Sequence, residues 1–250
     1  MDLNAFFQAH PKAALAFSGG VDSAYLLYAA IQCGAAVRAY FVKSAFQPLF
    51  ELEDARRLAE SLHADWKVLE ADVLAIPQVT QNPPDRCYFC KKALFSAIRH
   101  AALEEDGYSL LLDGTNASDD VKDRPGMRAM EELSVLSPLR MCGLTKAEIR
   151  RRSREAGLFT WDKPAYACLA TRIPTGTEVT ADKLARTEAA EQALFSLGFR
   201  DFRIRMLGDA AKLQVPEAQL PKVLENRSRI LEELRHYYHS VLLDLEVRDA

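Results

Sequence analysis

The side chains with the clearest chemical potential lie near the start of the chain, in Ser18-Gly19-Gly20-Val21-Asp22-Ser23. Gly19 and Gly20 let the backbone approach an anion closely, and Ser18 and Ser23 add hydroxyl donors. The free N–H groups and positive dipole end of a following helix complete a cradle for phosphate. Asp22 can hold a magnesium ion that bridges phosphate oxygens. The stretch has neither the Gly-Lys-Ser/Thr ending of a Walker loop nor the spaced glycines of a dinucleotide fingerprint. It therefore points to ATP without favouring γ-phosphoryl or hydride transfer. The plainer reading is a Ser/Gly turn that merely opens a helix.

Further along, Leu110-Leu111-Leu112-Asp113 runs into Gly114-Thr115-Asn116-Ala117-Ser118-Asp119-Asp120, at the carboxyl end of an expected strand, where open α/β sheets place their ligands. Asp113, Asn116, Asp119 and Asp120 could bind magnesium or ATP hydroxyls, or serve as turn residues. Arg124 and Arg128, in Asp123-Arg124-Pro125-Gly126-Met127-Arg128-Ala129, read as two arginines on a stiff turn that could bracket an anion. Cys87 and Cys90 stand immediately before an expected helix, Lys91 to Glu104, whose dipole would stabilise thiolates, and a lone Cys168 lies in a later loop. Three thiolates suit a [4Fe-4S] cluster with one open iron, whereas structural zinc needs a fourth protein ligand. Cys33 and Cys142 read as small packing residues. Lys163 and Arg172 flank Cys168 with positive charge that favours its thiolate. In Arg203-Ile204-Arg205, strand alternation puts both arginines on one face, a good phosphate site or an ordinary charged face.

These groups need a scaffold, and the hydropathy pattern supplies one. Strands are expected at Ala13 to Phe17, Val37 to Val42, Trp66 to Glu70 and Ser109 to Asp113. Helices are expected at Asp22 to Gln32, Leu49 to Leu62 and Lys91 to Glu104, which makes a doubly wound α/β pattern with a mostly parallel sheet. Thr145 and Glu148 form a capping box that opens a helix ending before Gly157. A nucleotide domain is expected over residues 1–160. Residues 161–250 are expected to hold a crossing loop and a smaller α/β unit. That unit has a helix from Thr180 to Leu197, strands at Phe202 to Met206 and Lys212 to Val215, a helix from Glu217 to about Tyr237 and a final strand from Val241 to Val247. The 250 residues, nearly half of them hydrophobic, can bury a full core. A net charge of −3 gives no global field for nucleic acid or anionic membrane. No basic and apolar leader and no spanning apolar stretch is present, so the cytoplasm is expected. An odd five cysteines argues for thiols, a metal or a cluster over a disulfide framework.

The loop Ser18 to Ser23 resembles the PP-loop of the ATP pyrophosphatases, whose adenine nucleotide alpha hydrolase-like fold and adenylation chemistry it implies. Together with Asp113-Gly114-Thr115-Asn116, Arg124-Pro125-Gly126-Met127-Arg128-Ala129, Trp161-Asp162-Lys163-Pro164, Ala167-Cys168-Leu169-Ala170-Thr171-Arg172 and Arg203-Ile204-Arg205, the chain is similar over most of its length to the LarE family of ATP-dependent sulfur transferases. The resemblance implies a substrate, pyridinium biscarboxylic acid mononucleotide, whose sulfurated product becomes a nickel-pincer cofactor used by lactate racemase and related enzymes. It implies that Ser18, Gly19, Gly20, Asp22, Ser23, Gly114 and Asn116 bind ATP and Mg2+. Arg203 and Arg205 would grip the substrate phosphate, with Arg172 and Glu191 near the ring and adenylate. Cys168 holds the sulfur-donor position. One branch of the family sacrifices that cysteine's sulfur. The other, with an added Cys-x-x-Cys, is implied here: Cys87, Cys90 and Cys168 would ligate a [4Fe-4S] cluster carrying a transferable sulfide. Thr171 stands where many members have Ser. A homo-oligomer, commonly a hexamer, and a sulfide or sulfur-donor protein are the implied partners. A tRNA thiolation enzyme of the PP-loop class is the rival, with Arg150, Arg151, Arg152 and Arg154 as its one local basic run. A non-catalytic redox or metal-binding protein is the other.

Overall fold

The computed structural model describes residues 1–120 and 125–248. In chain order the regular elements are α1 (Leu3–Ala9), β1 (Lys12–Ala16), α2 (Val21–Gln32), β2 (Ala36–Lys43), α3 (Leu49–Ser61), β3 (Asp65–Glu70), α4 (Pro77–Thr80), α5 (Arg86–His100), β4 (Leu111–Leu112), α6 (Pro125–Glu132), α7 (Pro138–Met141), α8 (Lys146–Glu155), α9 (Ala181–Ser196), β5 (Arg203–Leu207), β6 (Ala210–Gln214), α10 (Leu220–Glu225), α11 (Arg227–Leu234) and β7 (Ser240–Leu243). They form two compact units, one of Met1–Val73 with Asp85–Lys163, the other of Leu74–Pro84 with Pro164–Ala250.

The first unit is a parallel sheet of order β3-β2-β1-β4. Its inner strands β1, β2 and β4 are largely apolar on both faces, as burial under helices requires, whereas the edge strand β3 carries Asp65, Lys67 and Glu70. On one side Leu15, Ala39, Phe41 and Leu112 pack with Ala24 and Leu27 of α2, Leu58 of α3 and Ile149 of α8. On the other, Ala14, Tyr40 and Leu111 meet Ile98 at the end of α5. The doubly wound arrangement expected from the hydropathy pattern is present. α1 was not expected. Asp2 caps it by accepting from the Ala5 N–H at 2.8 Å, and Phe6 and Phe7 anchor it in the core.

α5 starts at Arg86, five residues earlier than expected, directly after Pro83-Pro84-Asp85. Cys87 and Cys90 therefore lie inside its first turns rather than before it. Pro125 opens α6 where a stiff turn was expected. Arg124 lies outside the described residues, and Arg128 stacks at 4.0 Å over the Tyr88 ring, so the second of the two arginines is engaged with α5.

In the second unit β5 pairs antiparallel with β6, and β6 parallel with β7. Ile204, Met206, Ala211 and Leu213 are buried, and Arg205, Leu207 and Leu242 are exposed on the opposite face. The helix expected from Glu217 to Tyr237 is broken: at Asn226 the backbone leaves helical geometry (ψ 13°) and the side-chain amide donates to the Lys222 carbonyl, which separates α10 from α11. No helix among the described residues is long and apolar enough to cross a membrane.

Candidate functional site

The first unit's candidate groups gather at the carboxyl end of β1. The chain leaves the strand at Ser18 and turns through Gly19, whose φ of +69° strains any residue with a side chain. A Cβ there would also lie 3.0 Å from Cα of Ala55 on α3. Ser18 and Ser23 face each other with hydroxyl oxygens 3.1 Å apart. The Ser18 N–H donates to Ser23 Oγ (3.2 Å), and Ser23 Oγ donates to the Gly20 carbonyl (3.3 Å). Gly20 occupies the N-cap of α2 in an extended conformation and supplies no side-chain cap. The first-turn N–H groups thus have no side-chain acceptor from the cap and remain available to an anion.

Asp22 stands in this first turn. Its Oδ2 is 2.6 Å from Lys146 Nζ, while its Oδ1 is buried without a hydrogen-bond partner. Burial pushes the carboxyl up, Lys146 opposes that, and Asp119 adds to the rise. A buried carboxylate oxygen without a donor is costly, and it marks a place for a cation or a donor from a ligand. The donor set suits magnesium bound with a nucleotide phosphate.

The loop after β4 braces this corner. A Cβ on Gly114 would lie 2.9 Å from the Ser23 nitrogen, so the glycine is required by close approach to α2. The Asp113 carboxylate accepts from the hydroxyls of Ser137 (2.6 Å) and Thr115, and burial raises its pKa. Asn116 is buried, with Oδ1 accepting from the Ser118 N–H (2.8 Å) and its own N–H donating to Asp119 Oδ2 (2.9 Å). Ser118 Oγ then accepts from the Lys146 N–H (3.0 Å), and Thr145 caps α8 by accepting from the Glu148 N–H (3.3 Å). The string, open in the sequence to ligand or turn roles, also positions Lys146, a residue the sequence reading missed although the Thr145 capping box places it at the start of a helix.

Cys87 is exposed and Cys90 half-buried, one turn apart on α5. Between them Tyr88 is buried, its hydroxyl bonded to the Glu132 carboxylate (2.9 and 3.0 Å) and to Lys92 Nζ (3.0 Å). The basic run on α8 is engaged within the unit. Arg150 donates to the carbonyls of Trp161 (2.7 Å) and Lys163 (2.9 Å), Arg151 and Arg152 pair with Glu148, and Arg154 stacks over Trp161 at 4.9 Å.

The second unit's groups surround Cys168, the half-buried residue that precedes a short 3-10 turn, Leu169–Arg172. The Arg172 side chain is fully buried. Its Nε and Nη2 donate to Glu191 at 2.8 and 3.2 Å, and its Nη1 donates to the Ala167 carbonyl (2.9 Å) and Thr171 Oγ1 (2.8 Å). Burial opposes the charge, but the bonds and charge of Glu191 outweigh it and hold the guanidinium's pKa above its ordinary value. Glu191 also accepts from the Tyr166 hydroxyl and from the Ile204 N–H (3.1 Å). Both of its oxygens are therefore engaged.

Arg203 and Arg205 are placed differently. Arg203 is buried and donates to the carbonyls of Phe202 (2.7 Å) and Ala165. Burial, with Arg172 and Arg248 nearby, pulls its pKa down to about 10. Arg205 is exposed and donates to Gln214 Oε1 (2.5 Å) and the Thr171 carbonyl (2.9 Å), and its pKa is lowered by partial loss of solvent around the guanidinium and by Arg172 and Arg248. Neither has a carboxylate ion-pair partner among the described residues. Tyr166, given no role in the sequence reading, lies under both guanidinium groups, 4.5 Å from that of Arg172 and 5.2 Å from that of Arg203.

Cys87 and Cys90 belong to the first unit and Cys168 to the second. Among the described residues no three His, Cys, Asp or Glu side chains are grouped to hold a metal ion.

No protein-family model matches the chain. It is 36% identical over 253 residues to an uncharacterized protein of Synechocystis sp., covering 98% of this chain and 92% of that one. An uncharacterized protein of Methanocaldococcus jannaschii is 28% identical over 237 residues, covering 94% and 90%. The pyridinium-3,5-bisthiocarboxylic acid mononucleotide synthase of Lactiplantibacillus plantarum is 33% identical over 237 residues, covering 94% of this chain and 86% of the synthase. With that identity along nearly its whole length, the chain belongs to the LarE family, that of the synthase.

Proposed function

We propose that the protein is an ATP-dependent sulfur transferase that adenylates the carboxylates of pyridinium biscarboxylic acid mononucleotide and converts them to thiocarboxylates, for a nickel-pincer cofactor. The observation that carries the reading is the Ser18–Ser23 corner, with its uncapped helix N-terminus and the partnerless buried Oδ1 of Asp22. Ser18, Ser23 and the N–H groups of the first turn bind pyrophosphate oxygens, and Asp22 holds the magnesium that accompanies them. A substrate carboxylate oxygen attacks the α-phosphorus. The bond from that phosphorus to the bridging oxygen breaks, and pyrophosphate leaves with the electron pair. The acyl adenylate then accepts a sulfur nucleophile at its carbonyl carbon and releases AMP.

Cys168 is the residue proposed to meet the adenylate, with Arg203 and Arg205 on the substrate phosphate. Cys87 and Cys90 can offer two thiolates from one helical turn. A [4Fe-4S] cluster held by them and Cys168 would supply a replaceable sulfide. The protein-only route uses Cys168 itself. Its thiolate displaces AMP to form a thioester, a base removes the Cα proton, and the Cβ–Sγ bond breaks to leave thiocarboxylate and dehydroalanine. Homo-oligomeric assembly is part of the same proposal.

Two measurements test it. Pyrophosphate release from ATP should require the mononucleotide, and Cys168→Ala should keep pyrophosphate release while losing sulfur transfer. Sulfur transfer by that variant would remove Cys168 from the scheme. Iron and acid-labile sulfide, measured on protein purified without oxygen, separate the routes: about four irons per chain, lost on replacing Cys87 and Cys90, supports the cluster. Iron-free protein that gains dehydroalanine at residue 168 supports the sacrificed thiol.

A further inference from the structure

The segment from Ala165 to Thr171 has no sheet partner. Within it, Cys168's carbonyl accepts from the Thr171 N–H (3.0 Å) and hydroxyl (2.8 Å). Arg172 Nη1 also lies 3.5 Å from that carbonyl, and of the segment's other bonded carbonyls Ala170 accepts from the Ile173 N–H (3.3 Å) while three meet guanidinium groups: Ala165 accepts from Arg203, Ala167 from Arg172 and Thr171 from Arg205. The loop that carries Cys168 is therefore shaped by three arginines, two of them from β5.

The three are not equivalent. Arg172 is neutralised by the two-pronged contact with Glu191, buried at both ends. Arg203 and Arg205 rest on neutral acceptors, have no carboxylate ion-pair partner among the described residues, and feel the positive charge of Arg172 and Arg248. A phosphate group is a far stronger partner for a guanidinium fork than an amide carbonyl. Where one donor serves both, an anion favours the arrangement in which the fork has left the carbonyl, and it shifts the population by its differential affinity.

We infer that Arg203 and Arg205 are positioning residues that report occupancy of an anion site to Cys168: phosphate bound by the pair draws the guanidinium groups from the Ala165 and Thr171 carbonyls and releases the loop for reaction. This rests on the reading of the pair as a phosphate site. In the empty protein the cysteine is held back, and a substrate carrying a phosphate makes it available. The thiol would then be protected from wasteful chemistry until substrate is present.

The test follows alkylation of Cys168 by iodoacetamide in the full-length protein, located by peptide mass spectrometry. Inorganic phosphate is the probe, with chloride at equal ionic strength as control and calorimetry reporting phosphate binding on the same sample. Phosphate should speed modification of Cys168 about fivefold or more, with half-saturation at the calorimetric Kd and no change at Cys33. Arg205→Gln should raise the basal rate and lose the response, and Arg205→Lys should keep part of it. Binding without acceleration, or with slowing, would overturn the coupling and leave the phosphate site standing. Absence of phosphate binding would overturn both.

Discussion

The two units build their candidate groups from different material. In the first, the corner is made of backbone: Gly19 turns it, Gly20 opens α2, and Gly114 lets the next strand end lie on the Ser23 nitrogen. In the second, a fully buried arginine and glutamate hold Tyr166, the loop before Cys168 and the N–H of Ile204 together. A backbone cradle is preorganised by chain geometry and is damaged by adding atoms. A buried charge network is preorganised by mutual satisfaction and is damaged by removing them.

Four single variants and one double variant separate these modes. Glu191→Ala should have the largest effect, about 3–5 kcal/mol of stability in denaturant titration, because it strands the buried Arg172 charge. A double replacement with Arg172→Met should recover much of that loss, whereas additive losses would show that the pair does not act as a unit. Asp22→Ala should lower pyrophosphate release by about 10²–10³-fold while leaving the fold intact. Gly114→Ala should cost about 1–3 kcal/mol and weaken ATP binding, since the new methyl meets backbone that cannot yield cheaply. Thr145→Ala should cost about 1 kcal/mol through loss of the α8 cap and loosen the hold on Lys146.

The pH dependence sharpens the contrast. Burial raises the Asp22 carboxyl, so between the ordinary and the raised pKa the folded protein binds more protons than the unfolded chain. Stability from this group therefore falls as pH rises through that window. Asp22→Asn, which cannot ionise, should have a higher Tm than the parent at neutral pH and a flatter Tm against pH through that window. A lower Tm would show that the Lys146 ion pair outweighs the burial.

Much of the first unit was legible in the sequence because its signals are contiguous. The strand expected at Val37 to Val42 is seen at Ala36–Lys43, and the helix expected at Asp22 to Gln32 begins one residue earlier, at Val21. Both follow from apolar runs buried on two faces and from one glycine-rich turn. Lys146 was not legible as a partner of Asp22, since 124 residues separate them. The helix that carries Cys87 starts five residues before the expected Lys91, and Pro84 and Asp85 already carry a helix-start signal for it. Arg203 and Arg205 were correctly placed on one strand face, yet their carbonyl partners lie 38 and 34 residues away. Periodicity carries no information about such contacts.

Asn82 has a left-handed backbone (φ 55°) and is buried, and its amide nitrogen reaches the carbonyls of Pro174 (2.8 Å) and Thr177 (3.0 Å). The N–H groups of Gly176 and Val179 return bonds to the carbonyls of Asn82 and Thr80. These contacts close loops of more than 90 residues, and such closures form late because their entropy must be met before the contacts reward it. During synthesis the piece Leu74–Pro84 is therefore made early and waits for its acceptor segment. A truncated chain beginning at Pro164 would emerge without it, and a single proteolytic cut anywhere between residues 85 and 163 would sever the covalent link between the two pieces of the second unit.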